Sequence, residues 1–105
     1  MFGLNESIIE QIEHVFEEFP QIEEVLIYGS RAKEIHKPGS DIDLALKGDD
    51  LDHNLINLIS LRLDELYLPF IFDISLFSKI ANKDLIDHID RVGKSFYRKE
   101  ITTEH

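Results

Sequence analysis

The sequence of 105 residues contains no cysteine and no tryptophan, and it has only three prolines and five glycines. Without cysteine, the chain can form neither a disulfide framework nor a thiolate site for zinc or redox chemistry. No apolar run is long enough to span a bilayer, and residues 1–11 lack the pattern of a secretion signal. We therefore expect a cytoplasmic protein with no membrane association.

Basic residues are also scarce, since 11 lysines and arginines stand against 21 aspartates and glutamates, giving a formal net charge of −10. A field of this sign repels a polyanion, so extended nucleic acid is not expected as a partner. The same excess favours a cationic protein partner, and it is equally compatible with an acidic site that divalent metal ions neutralise. Composition does not choose between these two.

Hydrophobic periodicity predicts one mixed unit of helices and strands. No repeat or linker divides the chain, so we predict a single domain over residues 1–105, with a core at about 5–98 and a tail at 99–105. Ser7 and Glu10 predict a capping box for the first helix. The helices are predicted over 7–19, 52–66 and 82–92, and the strands over 25–28, 41–46 and 70–76, before an apolar Phe96-Tyr97 pair. This alternation predicts an α+β fold with a small sheet covered by helices.

Three acidic side chains fall at strand positions where an inward carboxylate is costly unless it meets a cation or water. Asp41 and Asp43 alternate with apolar residues, so both should lie on one face of the second strand, and Asp73 interrupts the apolar third strand. Because Mg²⁺ prefers a few carboxylate oxygens completed by water and nucleotide phosphates, these acids predict a site for two ions about 4 Å apart. Alternatively, such a pair of acids lies on the solvent-exposed face of a sheet whose other face is buried, and binds no metal.

Gly29 and Ser30 follow the first strand and open the next turn. Gly29 lacks a Cβ and lets a phosphate approach the backbone, while Ser30 offers its hydroxyl and amide to phosphate oxygens. Arg31 adds positive charge there, or it forms an ion pair with Asp41 or Asp43. A Gly-Ser turn is common by itself, so its significance comes from its position ten residues before the acidic pair.

The remaining polar residues are interpreted as structural. The run of Asp49, Asp50 and Asp52 is expected to complement the dipole of the helix that follows. The five histidines show no metal-ligand spacing, and those on helices, His88 among them, are expected on polar faces.

The Gly29-Ser30 pair, the ten-residue spacer and the Asp41-x-Asp43 motif together resemble the DNA polymerase β-like nucleotidyltransferase superfamily. The chain looks most like the minimal nucleotidyltransferases of that superfamily, including those that serve as antitoxin domains, and the resemblance covers nearly its whole length. One departure stands out. Minimal members usually carry glycine where this sequence has Glu34, and an inward-pointing acid there would weaken nucleotide binding.

The resemblance implies roles for the candidate residues. Asp41 and Asp43 would hold both Mg²⁺ ions, and Asp73 would hold the catalytic ion and help to activate the acceptor. Gly29 and Ser30 would bind the β- and γ-phosphates of ATP or another nucleoside triphosphate.

By the same resemblance, the chain is a Mg²⁺-dependent transferase that moves a nucleoside monophosphate, AMP from ATP, onto a hydroxyl group. Minimal nucleotidyltransferases are commonly paired with a HEPN-domain protein, a helical ribonuclease-type toxin, and those characterised act as antitoxins by adenylylating it on tyrosine. Both a homo-oligomer and a hetero-oligomer are compatible with this role. Two alternatives stay open: a catalytically idle module that neutralises a partner by contact, and an adenylyltransferase that modifies a small molecule alone.

Overall fold

The computed structural model describes residues 4–29 and 41–99. Its elements, in chain order, are α1 (Glu6–Glu17), β1 (Glu24–Tyr28), β2 (Ile42–Lys47), α2 (His53–Asp64), β3 (Phe72–Leu76), a 3₁₀ turn (Phe77–Lys79), α3 (Lys83–Val92) and β4 (Lys94–Arg98). All three predicted helices and all three predicted strands are present. The fourth strand contains the Phe96-Tyr97 pair, to which periodicity had assigned no element. No helix in the described ranges is both long enough and apolar enough to cross a membrane.

The four strands form one sheet in the order β3-β2-β1-β4. β1 is antiparallel to both β2 and β4, whereas β3 is parallel to β2. Two parallel strands cannot be joined by a tight turn, and α2 supplies the crossover between them. This mixed sheet with its helices confirms the predicted α+β fold class.

The two faces of the sheet carry separate apolar layers. On one face, α1 and α2 contribute Phe16 and Ile59 to a core that includes Ile27 and Leu44 of the central strands, and all four side chains are fully buried. On the other face, Ile89 of α3 packs in a smaller cluster with two side chains of the central strands, Tyr28 and Ala45. Each central strand therefore has its alternate residues buried beneath different helices.

The fourth strand is held to this core by aromatic packing. Phe96 meets Phe16 of α1 edge to face, with ring centroids 6.2 Å apart, and Tyr97 lies at 5.6 Å from the same ring. Edge-to-face pairs of this kind add stability beyond the area that they bury. The partner of this short apolar segment is therefore a helix about eighty residues earlier, which local periodicity cannot reveal.

The first helix begins earlier than predicted. Asn5 is its N-cap, and the Asn5 side chain accepts a hydrogen bond from the amide of Ile8 at 2.8 Å. Ser7 lies inside the first turn, so the predicted Ser7–Glu10 capping box is wrong. Asparagine caps helices as well as serine does, and the earlier start adds residues to the helix without losing a capped amide.

The second helix is capped as expected but ends early. Asp52 is its N-cap and accepts a hydrogen bond from the amide of Leu55 at 2.8 Å, in keeping with the predicted role of this acidic run. The helix ends at Asp64. The chain then turns at Tyr67, whose φ of 54° lies in the left-handed region that favours glycine.

Candidate active site

The topology brings the predicted acids to one end of the sheet. Because β1 is antiparallel to β2, and β3 is parallel to β2, the carboxyl end of β1 lies beside the amino ends of the other two strands. The register pairs Tyr28 with Asp43, and Asp43 with Asp73. Neighbouring strands lie about 4.8 Å apart, so these two acids are directly side by side.

The acids share the face of the sheet that α3 covers. Ile42 and Leu44, which flank Asp43, both belong to the core on the opposite face, so Asp41 and Asp43 lie on the same side as predicted. Asp43 is half-buried, whereas Asp41 and Asp73 are exposed. An incoming ligand could therefore reach this group of acids from solvent.

Gly29 lies within contact distance of Asp43. Its φ of 76° is left-handed, and a Cβ at this position would lie 2.5 Å from Oδ2 of Asp43. Only a residue without a side chain lets the backbone approach the carboxylate this closely. Gly29 of the Gly29-Ser30 pair and Asp43 of the Asp41-x-Asp43 motif are therefore neighbours in the structure. Ser30, Arg31 and Glu34 lie outside the described residues, so the roles given to them stay predictions.

The charge of the acid group is not balanced by neighbouring cations in the described part of the chain. The pKa of the Asp43 carboxyl is raised, first by burial and then by the nearby carboxylates of Asp73 and Asp41, while His88 acts in the opposite direction. No ion pair between described residues involves any of the three acids. This arrangement disfavours the ionised form and would favour a bound cation.

The three acids are residues of the type that binds Mg²⁺, but they do not by themselves form a complete set of metal ligands. Among residues 4–29 and 41–99, no three or more acidic, histidine or cysteine side chains are arranged to hold a metal ion. Mg²⁺ is usually held by one or two carboxylates, with water and substrate phosphates completing its octahedron. The adjacent Asp43 and Asp73, with Asp41 two residues from Asp43, fit that requirement.

Two aromatic side chains at this site were missed by sequence reasoning. Tyr28 is buried, and its pKa is raised by burial and by the carboxylates of Asp43 and Asp73, against the effect of the Ser75 hydroxyl. The ring of His88 packs edge-on against Tyr28, with centroids 6.3 Å apart. The prediction that His88 lies on a polar face is wrong, because this half-buried residue faces the sheet.

The sequence did hold a signal for both residues. His88 comes immediately before Ile89 and three residues after Leu85, next to the apolar stripe of α3. Tyr28 alternates with Ile27, so it belongs to the opposite face of β1 from the main core. Taken together, these positions indicate that the side chains of His88 and Tyr28 lie near the acids.

Comparison with known proteins agrees with the geometry. The family model described as polymerase beta, nucleotidyltransferase matches residues 10–102. The chain belongs to this nucleotidyltransferase family. The matched segment contains Gly29 and all three candidate acids, so the family assignment covers the whole site.

Solved structures show the same nucleotidyltransferase fold. A toxin-antitoxin crystal structure with AMP-PNP matches with a TM-score of 0.69 and 21% identity, over 92% of this chain and 76% of that one. The MntA-HepT toxin-antitoxin structure matches at 0.67 and 18%, over 90% and 74%. The tri-AMPylated Shewanella oneidensis HEPN toxin in complex with MNT antitoxin matches at 0.67 and 17%, over 91% and 74%. No curated protein matches the chain significantly.

Proposed function

We propose that this nucleotidyltransferase domain transfers a nucleoside monophosphate, AMP from ATP, to a hydroxyl group on a partner protein. The observation that carries the proposal is the register pairing of Asp43 with Asp73, beside a left-handed Gly29 whose backbone approaches the Asp43 carboxylate. Membership of the nucleotidyltransferase family supports the reaction class.

Each acid has a distinct part in this proposal. Asp41 and Asp43 would hold the Mg²⁺ ions, and Asp73 would hold the catalytic ion together with them. The chemistry that Mg²⁺ supplies when bound is neutralisation of the phosphate charge and a lower pKa for the acceptor hydroxyl. The half-buried Asp43 is fixed between two strands, which suits a ligand that sets the position of the triphosphate. The exposed Asp73 is open to the acceptor.

The reaction is an in-line displacement at the α-phosphorus. A bond forms between the acceptor oxygen and the α-phosphorus as the bond from that phosphorus to the pyrophosphate oxygen breaks. The hydroxyl proton passes to the carboxylate of Asp73 and then to solvent. Gly29, Ser30 and Arg31 bind the departing phosphates, where the glycine leaves room for them and the arginine supplies positive charge.

The acceptor in this proposal is a tyrosine of a HEPN-type toxin, which makes the domain a cytoplasmic antitoxin in a complex with its target. The fold matches to chains in toxin-antitoxin structures, one with AMP-PNP and one with a tri-AMPylated HEPN toxin, support this choice. The net charge of −10 favours a basic protein partner. We further propose that residues 1–105 act as one domain, with the acceptor on a separate chain.

The test is transfer of label from α-³²P ATP to a purified HEPN-type protein, with Mg²⁺ present. Asp43→Asn should lower the rate by about a hundredfold or more, because it removes a carboxylate that would hold Mg²⁺ against the reacting phosphates. Asp50→Asn is the matched control, since it makes the same chemical change at an exposed residue of the β2–α2 connection. It should leave the rate unchanged.

The outcomes separate the alternatives. Transfer that survives Asp43→Asn would refute the assignment of the acids. Inhibition of the toxin by the wild-type chain without any label transfer would identify an idle binding module. Labelled product in the absence of any protein acceptor would identify a small-molecule adenylyltransferase.

A further inference from the structure

In the connection between α2 and β3, successive side chains point alternately to the core and to the surface. Leu66, Leu68 and Phe70 are partly buried against the main core. The residues between and after them, Tyr67, Pro69 and Ile71, are exposed, and we call these three the apolar strip. Tyr67 is 90% exposed and Ile71 is 69% exposed, the two largest values among the large hydrophobic residues of the described ranges.

The apolar strip leads directly to the acids. The carbonyl of Ile71 accepts a hydrogen bond from the amide of Ile42 at 2.8 Å, so the ladder between β2 and β3 starts at this residue. Continuing the register places Ile71 beside Asp41. Ile71 also lies two residues before Asp73, on the same face and about 6.6 Å away along the strand. Whatever contacts Ile71 is therefore next to the proposed reaction centre.

The fold itself does not require apolar side chains in the strip. A tyrosine at a φ of 54° is strained relative to glycine, and its side chain is nearly free of contacts that could offset the strain. Ile71 likewise leaves most of its surface in water. Aromatic and branched apolar side chains kept exposed in this way are typical of the anchors of protein interfaces.

The surroundings of the strip are acidic. No lysine or arginine occurs between Arg62 and Lys79, whereas Asp64, Glu65 and Asp73 all lie in that interval. Arg62 is itself engaged by Glu18 at 2.9 Å and by Glu65 at 3.0 Å. A partner that covers the strip therefore needs an apolar centre with basic residues around it, which disfavours a second copy of this acidic chain.

We infer that the apolar strip is the docking surface for the acceptor protein, and that it delivers the acceptor hydroxyl to Asp73. This inference rests on the proposed function. The apolar contacts supply affinity near the reaction centre, and the acidic surroundings select a basic partner surface. Nucleotide binding needs neither the apolar strip nor Asp64 and Glu65, because it depends on Asp41, Asp43, Asp73 and the turn at Gly29.

The experiment compares Ile71→Ser and Tyr67→Gly with the wild-type chain, using the purified HEPN-type protein as the probe. Glycine suits the backbone at position 67, so that variant should be at least as stable as the wild type. Each variant should weaken partner binding by about tenfold or more in calorimetry and raise the KM for the partner similarly. The KM for ATP should stay within twofold. Leu58→Ser is the control, because Leu58 is 47% exposed on α2 outside the strip. It should change neither the affinity for the partner nor the KM for the partner.

Each outcome bears on one of the two proposals. If both variants bind the partner and are active like the wild type, or if Leu58→Ser weakens binding as much, the docking surface lies elsewhere. A wild-type chain that does not bind the probe at all would also overturn the inference. If the variants lose binding but the wild-type chain transfers no label, the docking surface stands and the proposed activity fails.

Discussion

Replacing Gly29 by alanine tests the central geometric feature of the site. The added methyl group would sit at a φ of 76°, which costs an L-residue roughly 1–2 kcal/mol. It would also lie 2.5 Å from Oδ2 of Asp43, closer than real Cβ contacts, so the carboxylate must move. For a domain of this size, the strain alone should lower the unfolding temperature by roughly 5–10 °C.

The effect on transfer should be larger than the effect on stability. Moving a reacting group by about 1 Å can reduce a rate by about a hundredfold, and Asp43 has a strand on either side that limits compensation. The assay is label transfer well below the unfolding temperature of the variant, with thermal unfolding followed by circular dichroism on the same sample. We expect a folded protein with a rate reduced by about two orders of magnitude.

The matched control is Gly48→Ala. A Cβ at Gly48 would meet the backbone carbonyl oxygen of Gln21, at the end of β2 remote from Asp43, so this variant should also lose stability. The fraction that folds should transfer label at the wild-type rate. If Gly29→Ala keeps wild-type activity, or if Gly48→Ala loses as much, the close approach of Gly29 to Asp43 does not matter for catalysis.

Three further predictions concern the fold. The hydrogen bond from Arg62 holds the pKa of Glu18 below its ordinary value of 4.5, so this stabilisation is present above that value and is lost as the pH falls through the folded pKa. Glu18→Gln should therefore lower the unfolding temperature near neutral pH and leave it unchanged at about pH 2, whereas an equal decrease at both would contradict the assignment. Asn82→Ala should cost about 1 kcal/mol in urea unfolding, because Asn82 caps two amides of α3, and Asn82→Ser should retain most of that stability. Phe16→Ala should cost about 3–5 kcal/mol, since Phe16 is fully buried against Phe96, and a cost below about 1 kcal/mol would exclude it as a core anchor.

Local patterns were sufficient for most elements of the fold. The alternation in β2 placed Asp41 and Asp43 on one face, and the apolar spacing over 82–92 predicted the helix α3. The start of α1 was wrong by two residues because Asn5 and Ser7 are equally good caps, and the sequence does not say which one the packed helix uses.

The site was predictable only where residues are close in sequence. Gly29 and the Asp41-x-Asp43 pair could be recognised from their spacing, and Asp73 from its interruption of an apolar strand. His88 was misplaced because a histidine next to an apolar stripe suits either water or the sheet edge. Its packing against Tyr28 joins residues sixty positions apart.

By itself, the sequence determined the three helices, three of the four strands and the face shared by Asp41 and Asp43, because those properties depend on periods of a few residues. The order of the strands, the parallel pairing that sets Asp73 beside Asp43, and the approach of Gly29 to that carboxylate came only from the tertiary structure. These features depend on how α2 crosses over the sheet and on which apolar faces pack together, and no local pattern contains that information.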